Sequence, residues 1–233
     1  MQNIQKKRRT NIVSFSGIDG AGKSTQIEAL VAHFTEDGLH VRQIRFWDDI
    51  ARITAIREAS GHKLFGGDKG IGTPSAPINR RDKNVRSSFM TSVRLLIYFI
   101  DALSVRHAVK KALRSSADLV IFDRYIYDEL ANLTLRNAAT RLYVRLIMKL
   151  VPRPDISYIL DADPAKARAR KPEYPLEFLH SNRLAYLALS DLLGGMTVIS
   201  PMPLDEVKDE ILRHALKSLM FRANYKSKHE SAA

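Results

Sequence analysis

Two apolar rhythms alternate along this chain. Short unbroken runs mark strands buried on both faces, and longer stretches with an apolar residue every three or four positions mark helices. Asn11 to Ser16 is the first short run, and after it Ile27, Leu30, Val31 and Phe34 recur at helical spacing, so a helix begins near Lys23. A turn at Asp37-Gly38 leads to a second strand over Val41 to Phe46. Residues 61–84 are rich in Gly, Pro, Ser and Asn without periodicity and are expected to form a long loop, which in a compact domain is usually functional or disordered. A long helix follows from about Val85 to Arg114, with Met90, Val93, Leu96, Ile97 and Ile100 on its buried side.

Leu119 to Phe122 is the third strand and ends at Asp123-Arg124-Tyr125. A helix from about Asp128 to Leu150 is stopped by Pro152 and Pro154. Ile156 to Leu160 is the fourth strand, ending at Asp161-Ala162-Asp163-Pro164. A short basic stretch, 165–173, precedes a helix from about Pro175 to Leu193. Thr197 to Ser200 is a fifth strand, and Asp205 caps a last helix reaching about Met220. Strands alternating with helices predict an α/β domain, a five-stranded parallel sheet flanked by helices. Without repeats or a second composition break, the expected organisation is a basic tail at 1–10, one domain over 11–220 and a tail at 221–233.

The turn between the first strand and helix carries the chemistry. Residues 17–24 read Gly-Ile-Asp-Gly-Ala-Gly-Lys-Ser, a full match to the phosphate-binding pattern G-x-x-x-x-G-K-[ST], in strand–loop–helix context. Its backbone N–H groups, from Gly17 through Asp19, Gly20, Ala21 and Gly22 to Lys23, Ser24 and Thr25, can wrap a polyphosphate at a helix N-terminus. Lys23 reaches the terminal phosphates in that geometry and the Ser24 hydroxyl ligates Mg²⁺, so ATP with Mg²⁺ is the expected bound species. Asp123 and Arg124 stand just past a strand's carboxyl end, where open α/β sheets place ligands. There Asp123 can hold Mg²⁺ or its waters, and Arg124 can clamp a phosphate.

Charge places further positive groups. The chain has 37 Lys and Arg against 25 Asp and Glu, a net +12. The excess sits in the N-terminal cluster Lys6, Lys7, Arg8 and Arg9, at the C-terminal end, and in residues 61–94, with seven basic and two acidic side chains. That split, without interleaved aromatics, makes nucleic acid an unexpected partner. No cysteine is present, so disulfides and thiolate metal sites are excluded, and a cytoplasmic setting is expected. The longest strongly apolar stretch, Leu95 to Ile100, is far short of a membrane span, and the basic start lacks a following apolar run. The seven histidines show no HExxH arrangement.

The phosphate loop followed by Asp123-Arg124-Tyr125 resembles the thymidylate kinase family of P-loop NTPases. A third match lies in the basic stretch from Lys166 to Tyr174 with Phe178, Arg183 and Tyr186, which is similar to that family's lid and the helix after it. The resemblance implies a short basic lid at about 166–177 and transfer of the ATP γ-phosphoryl group to a nucleoside monophosphate, thymidine monophosphate first. Since Ile18, Asp19, Gly20 and Ala21 include no arginine, it assigns the catalytic cation to the lid, with Arg168, Arg170 and Lys171 as candidates. It implies that Asp19 faces the acceptor, that Arg45, Arg124 and Tyr125 contact it, and a homodimer packed through the long helices.

The acceptor side departs from the family. Arg45-Phe46-Trp47-Asp48-Asp49 stands where the family carries Arg-Glu-Pro-Gly-Gly, and Phe99-Ile100-Asp101-Ala102 replaces Ala-Ala-Asp-Arg, whose arginine helps hold thymine. Trp47 and Phe89 are candidates to stack on a base, and Arg94 or Arg106 to replace the lost arginine. Another nucleotide, a nucleoside or another small molecule stays open as acceptor. So does a nucleotide-regulated nucleic-acid-binding protein, as the weaker alternative.

Overall fold

The computed structural model describes residues 9–50 and 88–230, with the backbone alone for 88–90 and 220–230. The expected loop at 61–84, the basic cluster at its Lys6, Lys7 and Arg8, and the side chains of Phe89 and Met90 lie outside the described residues. Five strands, β1 (Asn11–Ser16), β2 (Val41–Arg45), β3 (Leu119–Asp123), β4 (Ile156–Leu160) and β5 (Thr197–Ile199), form one sheet in the order β2-β3-β1-β4-β5. Every pairing is parallel, so all five carboxyl ends lie along one edge. The three central strands are the apolar runs read from the sequence, and their backbone neighbours on both sides leave them almost no solvent contact.

The helices are α1 (Lys23–Glu36), α2 (Ser88–Leu113), α3 (Ile126–Leu130), α4 (Ala138–Leu150), α5 (Pro164–Arg170), α6 (Leu176–Leu193) and α7 (Leu204–Glu230). A single π-helical turn, Phe46–Ile50, follows β2. Phe15 and Tyr158 stack across β1 and β4 with ring centroids 5.1 Å apart, at the centre of the core.

Three expectations are corrected. The helix expected from Asp128 to Leu150 is two helices. The amide of Asn132 donates to the Asp128 carbonyl at 3.1 Å, and the Asn137 side chain caps α4 by accepting from the Ala139 N–H at 2.8 Å. Two asparagines thus serve the ends that an unbroken helix would not have. The buried face of α2 is also rotated from the expected one. Leu96 is 60% exposed, whereas Tyr98, Asp101, Ala102, Val105, Val109 and Ala112 are buried. Ile97, one of the expected positions, packs partly buried against the core together with Leu95. Finally, the last helix runs to Glu230, ten residues past Met220.

Phe15→Ala is expected to cost about 3–5 kcal/mol through the cavity it leaves. Leu184→Ala, at a position 65% exposed, should change stability by less than about 0.5 kcal/mol. Urea unfolding of both variants checks the contrast.

Candidate active site

The site grows from the carboxyl ends of β1, β3 and β4. Leaving β1, the chain turns sharply through Gly17 and Gly20, at φ 140° and 79°. A Cβ on Gly17 would lie 2.5 Å from the Leu160 carbonyl oxygen at the end of β4, and one on Gly20 would collide with the carbonyl of Ala167 on α5. The backbone of the loop therefore touches the backbone of the basic segment after β4. No side chain caps the N-terminus of α1, whose first turn presents its N–H groups with the exposed Ser24 and Thr25. This is a preformed place for a polyphosphate.

Lys23 is buried and its Nζ donates to the Gly17 and Ile18 carbonyls, both at 2.8 Å. Burial, with the neighbouring Arg124 charge, lowers its pKa to about 8, against the opposing pull of Asp19, Asp128 and Asp123. Asp19 projects from the loop onto Arg124 Nη2, and Lys171 Nζ stands 3.9 Å from the same carboxylate. Burial pushes the Asp19 carboxyl up, but Arg124, Lys23 and Lys171 outweigh it and hold the group below its ordinary range.

Arg124 is the only non-glycine residue with positive φ among the described residues, at 71°. Its N–H donates to the Phe15 carbonyl at 2.9 Å, and its Nη1 donates to Asp128 Oδ1 at 3.0 Å. Burial disfavours its charge, yet Asp128 and Asp19 more than compensate, and its pKa rises further. Asp128 also accepts from Ser16 Oγ at 2.6 Å, the Tyr125 N–H at 3.2 Å and Tyr186 Oη at 2.8 Å. Beside this cluster, Arg183 holds Asp161 at the end of β4 through two bonds, Nε to Oδ1 at 2.5 Å and Nη2 to Oδ2 at 2.7 Å. That pair fixes α6 against the root of the basic segment.

Of the residues singled out in the sequence, the fold gathers Asp19, Lys23, Arg124 and Lys171 into one network, with Asp123 half-buried at the end of β3 between Phe15 and Arg45. Tyr125 is a correction. The left-handed turn at Arg124 sends the tyrosine into the core, where it meets Phe122 and Tyr127 and its hydroxyl donates to the Pro152 carbonyl at 2.5 Å. Arg106 is likewise committed, donating to the Leu150 carbonyl at 2.8 Å. Arg45 is exposed, with its N–H on Asp49 at 2.7 Å and its guanidinium 3.9 Å from Asp48. Trp47 is partly exposed beside Phe46, Arg94 is half-buried on α2, Arg168 is half-buried and Arg170 exposed on α5. The sequence reading missed Asp128 and Ser16. The i, i+4 spacing of Arg124 and Asp128 is the signal that points to the first.

Lys23 has a consequence for stability. With a native pKa near 8 against 10.5 unfolded, the unfolded chain binds more protons between those values, so stability rises with pH across that window. Below about pH 8 the full cost is present, roughly 3 kcal/mol before its hydrogen bonds are counted. Lys23→Met is therefore expected to stabilise the nucleotide-free protein at pH 7 by about 1–2 kcal/mol and to lose that advantage toward pH 10.5. Urea titrations of both proteins at pH 7 and 10 measure the difference.

Comparison with known proteins agrees along nearly the whole chain. A probable thymidylate kinase of Pyrobaculum aerophilum is 32% identical over 224 residues, covering 90% of this chain and 98% of that protein. Probable thymidylate kinases of Pyrococcus abyssi and Archaeoglobus fulgidus are 27% and 25% identical over 230 and 217 residues. No family model matches. The crystal structure of thymidylate kinase from Ehrlichia chaffeensis superposes with a TM-score of 0.57 at 19% identity, covering 88% of this chain and 97% of that one, and so shares the P-loop NTPase fold. At 32% identity over nearly the full length of both proteins, the chain belongs to the thymidylate kinase family of phosphotransferases.

Proposed function

We propose that this protein transfers the γ-phosphoryl group of ATP to a nucleoside monophosphate, with thymidine monophosphate the first acceptor to test. One observation carries the reading: Arg124 is held from below by Asp128 and meets Asp19 of the phosphate loop, so a fixed cation stands where donor and acceptor phosphates would converge. The loop N–H groups and Lys23 would hold the donor, with Lys23 turning from its own carbonyls to phosphate oxygens. Arg124 would grip the acceptor phosphate with the arm now on Asp19. The lid cations Arg168, Arg170 and Lys171 would lie over the transferring group and exclude water, because Ala167 seats their helix on Gly20. The hydroxyl of Ser24 and the carboxylate of Asp123 are hard oxygen donors of the kind Mg²⁺ takes alongside phosphates. Bound there, the ion would neutralise charge on the phosphates. Positioning and electrostatics account for such a reaction without a covalent intermediate.

A second reading changes only the acceptor. With Arg106 bound to Leu150, one candidate for the lost thymine-side arginine is removed, which favours a different base or another small acceptor.

ADP release from Mg·ATP, measured against a panel of nucleoside monophosphates, tests both. Thymidine monophosphate is expected to stimulate turnover most, and Arg124→Ala to cut kcat/KM for it by about 10³. Stimulation by a non-nucleotide alone would sink the first reading. The exposed apolar stripe Leu96, Phe99 and Leu103 on α2 supports the homodimer as a further part of the proposal. Leu96→Glu combined with Leu103→Glu is expected to halve the mass seen in sedimentation.

A further inference from the structure

Asp128 is a carboxylate that has no lone pair left for chemistry. Its side chain is 2% exposed. Oδ1 accepts from Arg124 Nη1 at 3.0 Å and Tyr186 Oη at 2.8 Å, and Oδ2 from Ser16 Oγ at 2.6 Å and the Tyr125 N–H at 3.2 Å. The four donors come from the end of β1, the turn after β3 and helix α6, so three separate parts of the fold close on one group. Tyr186 stays protonated and donating, because burial and then the Asp128 charge push its pKa well above the usual phenol value. A buried carboxylate whose oxygens are all engaged in this way has no room for a substrate atom. It can only hold something else still.

What it holds is Arg124, whose other contact differs in kind. The Asp19 side chain is 18% exposed and belongs to the glycine-bearing loop. An incoming anion can displace Asp19 from Nη2, and the released carboxylate has Lys171 3.9 Å away. No anion reaches the Asp128 side. The two arms of one guanidinium are thus divided, Nη1 anchored inside and Nη2 exchangeable at the cleft. The anchor also explains how a non-glycine residue keeps φ at 71°: Asp128 ties the side chain of Arg124 and the N–H of Tyr125 on either side of the strained bond.

We propose that Asp128 is the positioning residue for acceptor binding, setting Arg124 through Nη1, with Ser16 and Tyr186 setting Asp128 in turn. This rests on the reading that Arg124 grips the acceptor's phosphate. Asp128→Asn keeps the volume and removes the charge. It is expected to raise the acceptor KM about tenfold or more, while the Kd for ATP, measured by calorimetry without acceptor, stays within about twofold. Ser16→Ala and Tyr186→Phe should shift the KM in the same direction by less, and they carry the test if Asp128→Asn does not fold. In an Arg124→Ala background each substitution should add less than about twofold, because its effect runs through the arginine. Full multiplication of the two losses, or an unchanged KM in a folded Asp128→Asn protein, overturns the proposal.

A readout free of acceptor separates this from the kinase reading. In ¹⁵N spectra, the guanidinium signal that disappears in Arg124→Lys is expected to be slow-exchanging in the wild type and averaged in Asp128→Asn. If no monophosphate drives turnover in the wild type, the functional reading falls and the spectra still decide the role of Asp128. If the signal is unchanged in Asp128→Asn, the positioning role falls by itself.

Discussion

A guanidinium held between two carboxylates at the edge of a parallel sheet is the constraint on which this site depends. Taking Arg124 out of water costs several kcal/mol unless its donors are matched, and the same holds for Asp128. The match is supplied by parts of the chain far apart in sequence: Ser16, Tyr186, and Asp19, which lies 105 residues from Arg124. None of these groups is satisfied alone. The fold that brings them together is therefore the one that keeps each buried charge tolerable, and the path of the phosphate loop is specified by that pairing as much as by its glycines.

Around this chain of charges the backbone itself sets distances. Gly17 approaches Leu160 and Gly20 approaches Ala167, so β1, β4 and α5 meet without side chains between them. Arg183 and Asp161 add a bidentate pair at the root of α5 and α6. The geometry suits phosphoryl transfer, where misplacement by a fraction of an ångström weakens every contact to the transferring group.

The strands and the phosphate loop were legible because buried parallel strands are continuous apolar runs and the loop has a fixed spacing of residue types. The observed β1, β4 and the start of α1 coincide with the predicted positions. The face of α2 was only partly legible, since its core positions mix Tyr98, Val105 and Val109 with the small Ala102 and Ala112 and the polar Asp101, while Leu96 is exposed. Apolar size predicts burial only where neighbours leave room. Within the site, Lys23, Asp19 and Arg124 carried motif signals, but Tyr125 belongs to the core. Asp128 had only its spacing from Arg124 to announce it, because the partners that define its role converge through tertiary structure.

The close contact of Gly20 with Ala167 bears on where a kinase of this kind can store its positive charge. Each variable loop position is already committed: Ile18 and Ala21 are buried, Asp19 is bound to Arg124, and Gly20 has no space for a Cβ. An arginine introduced at any of the four would have to evict a core side chain, an ion pair or a neighbouring backbone. The loop as folded has no room for a further cation, so any extra positive charge brought over a bound phosphate would have to come from outside it.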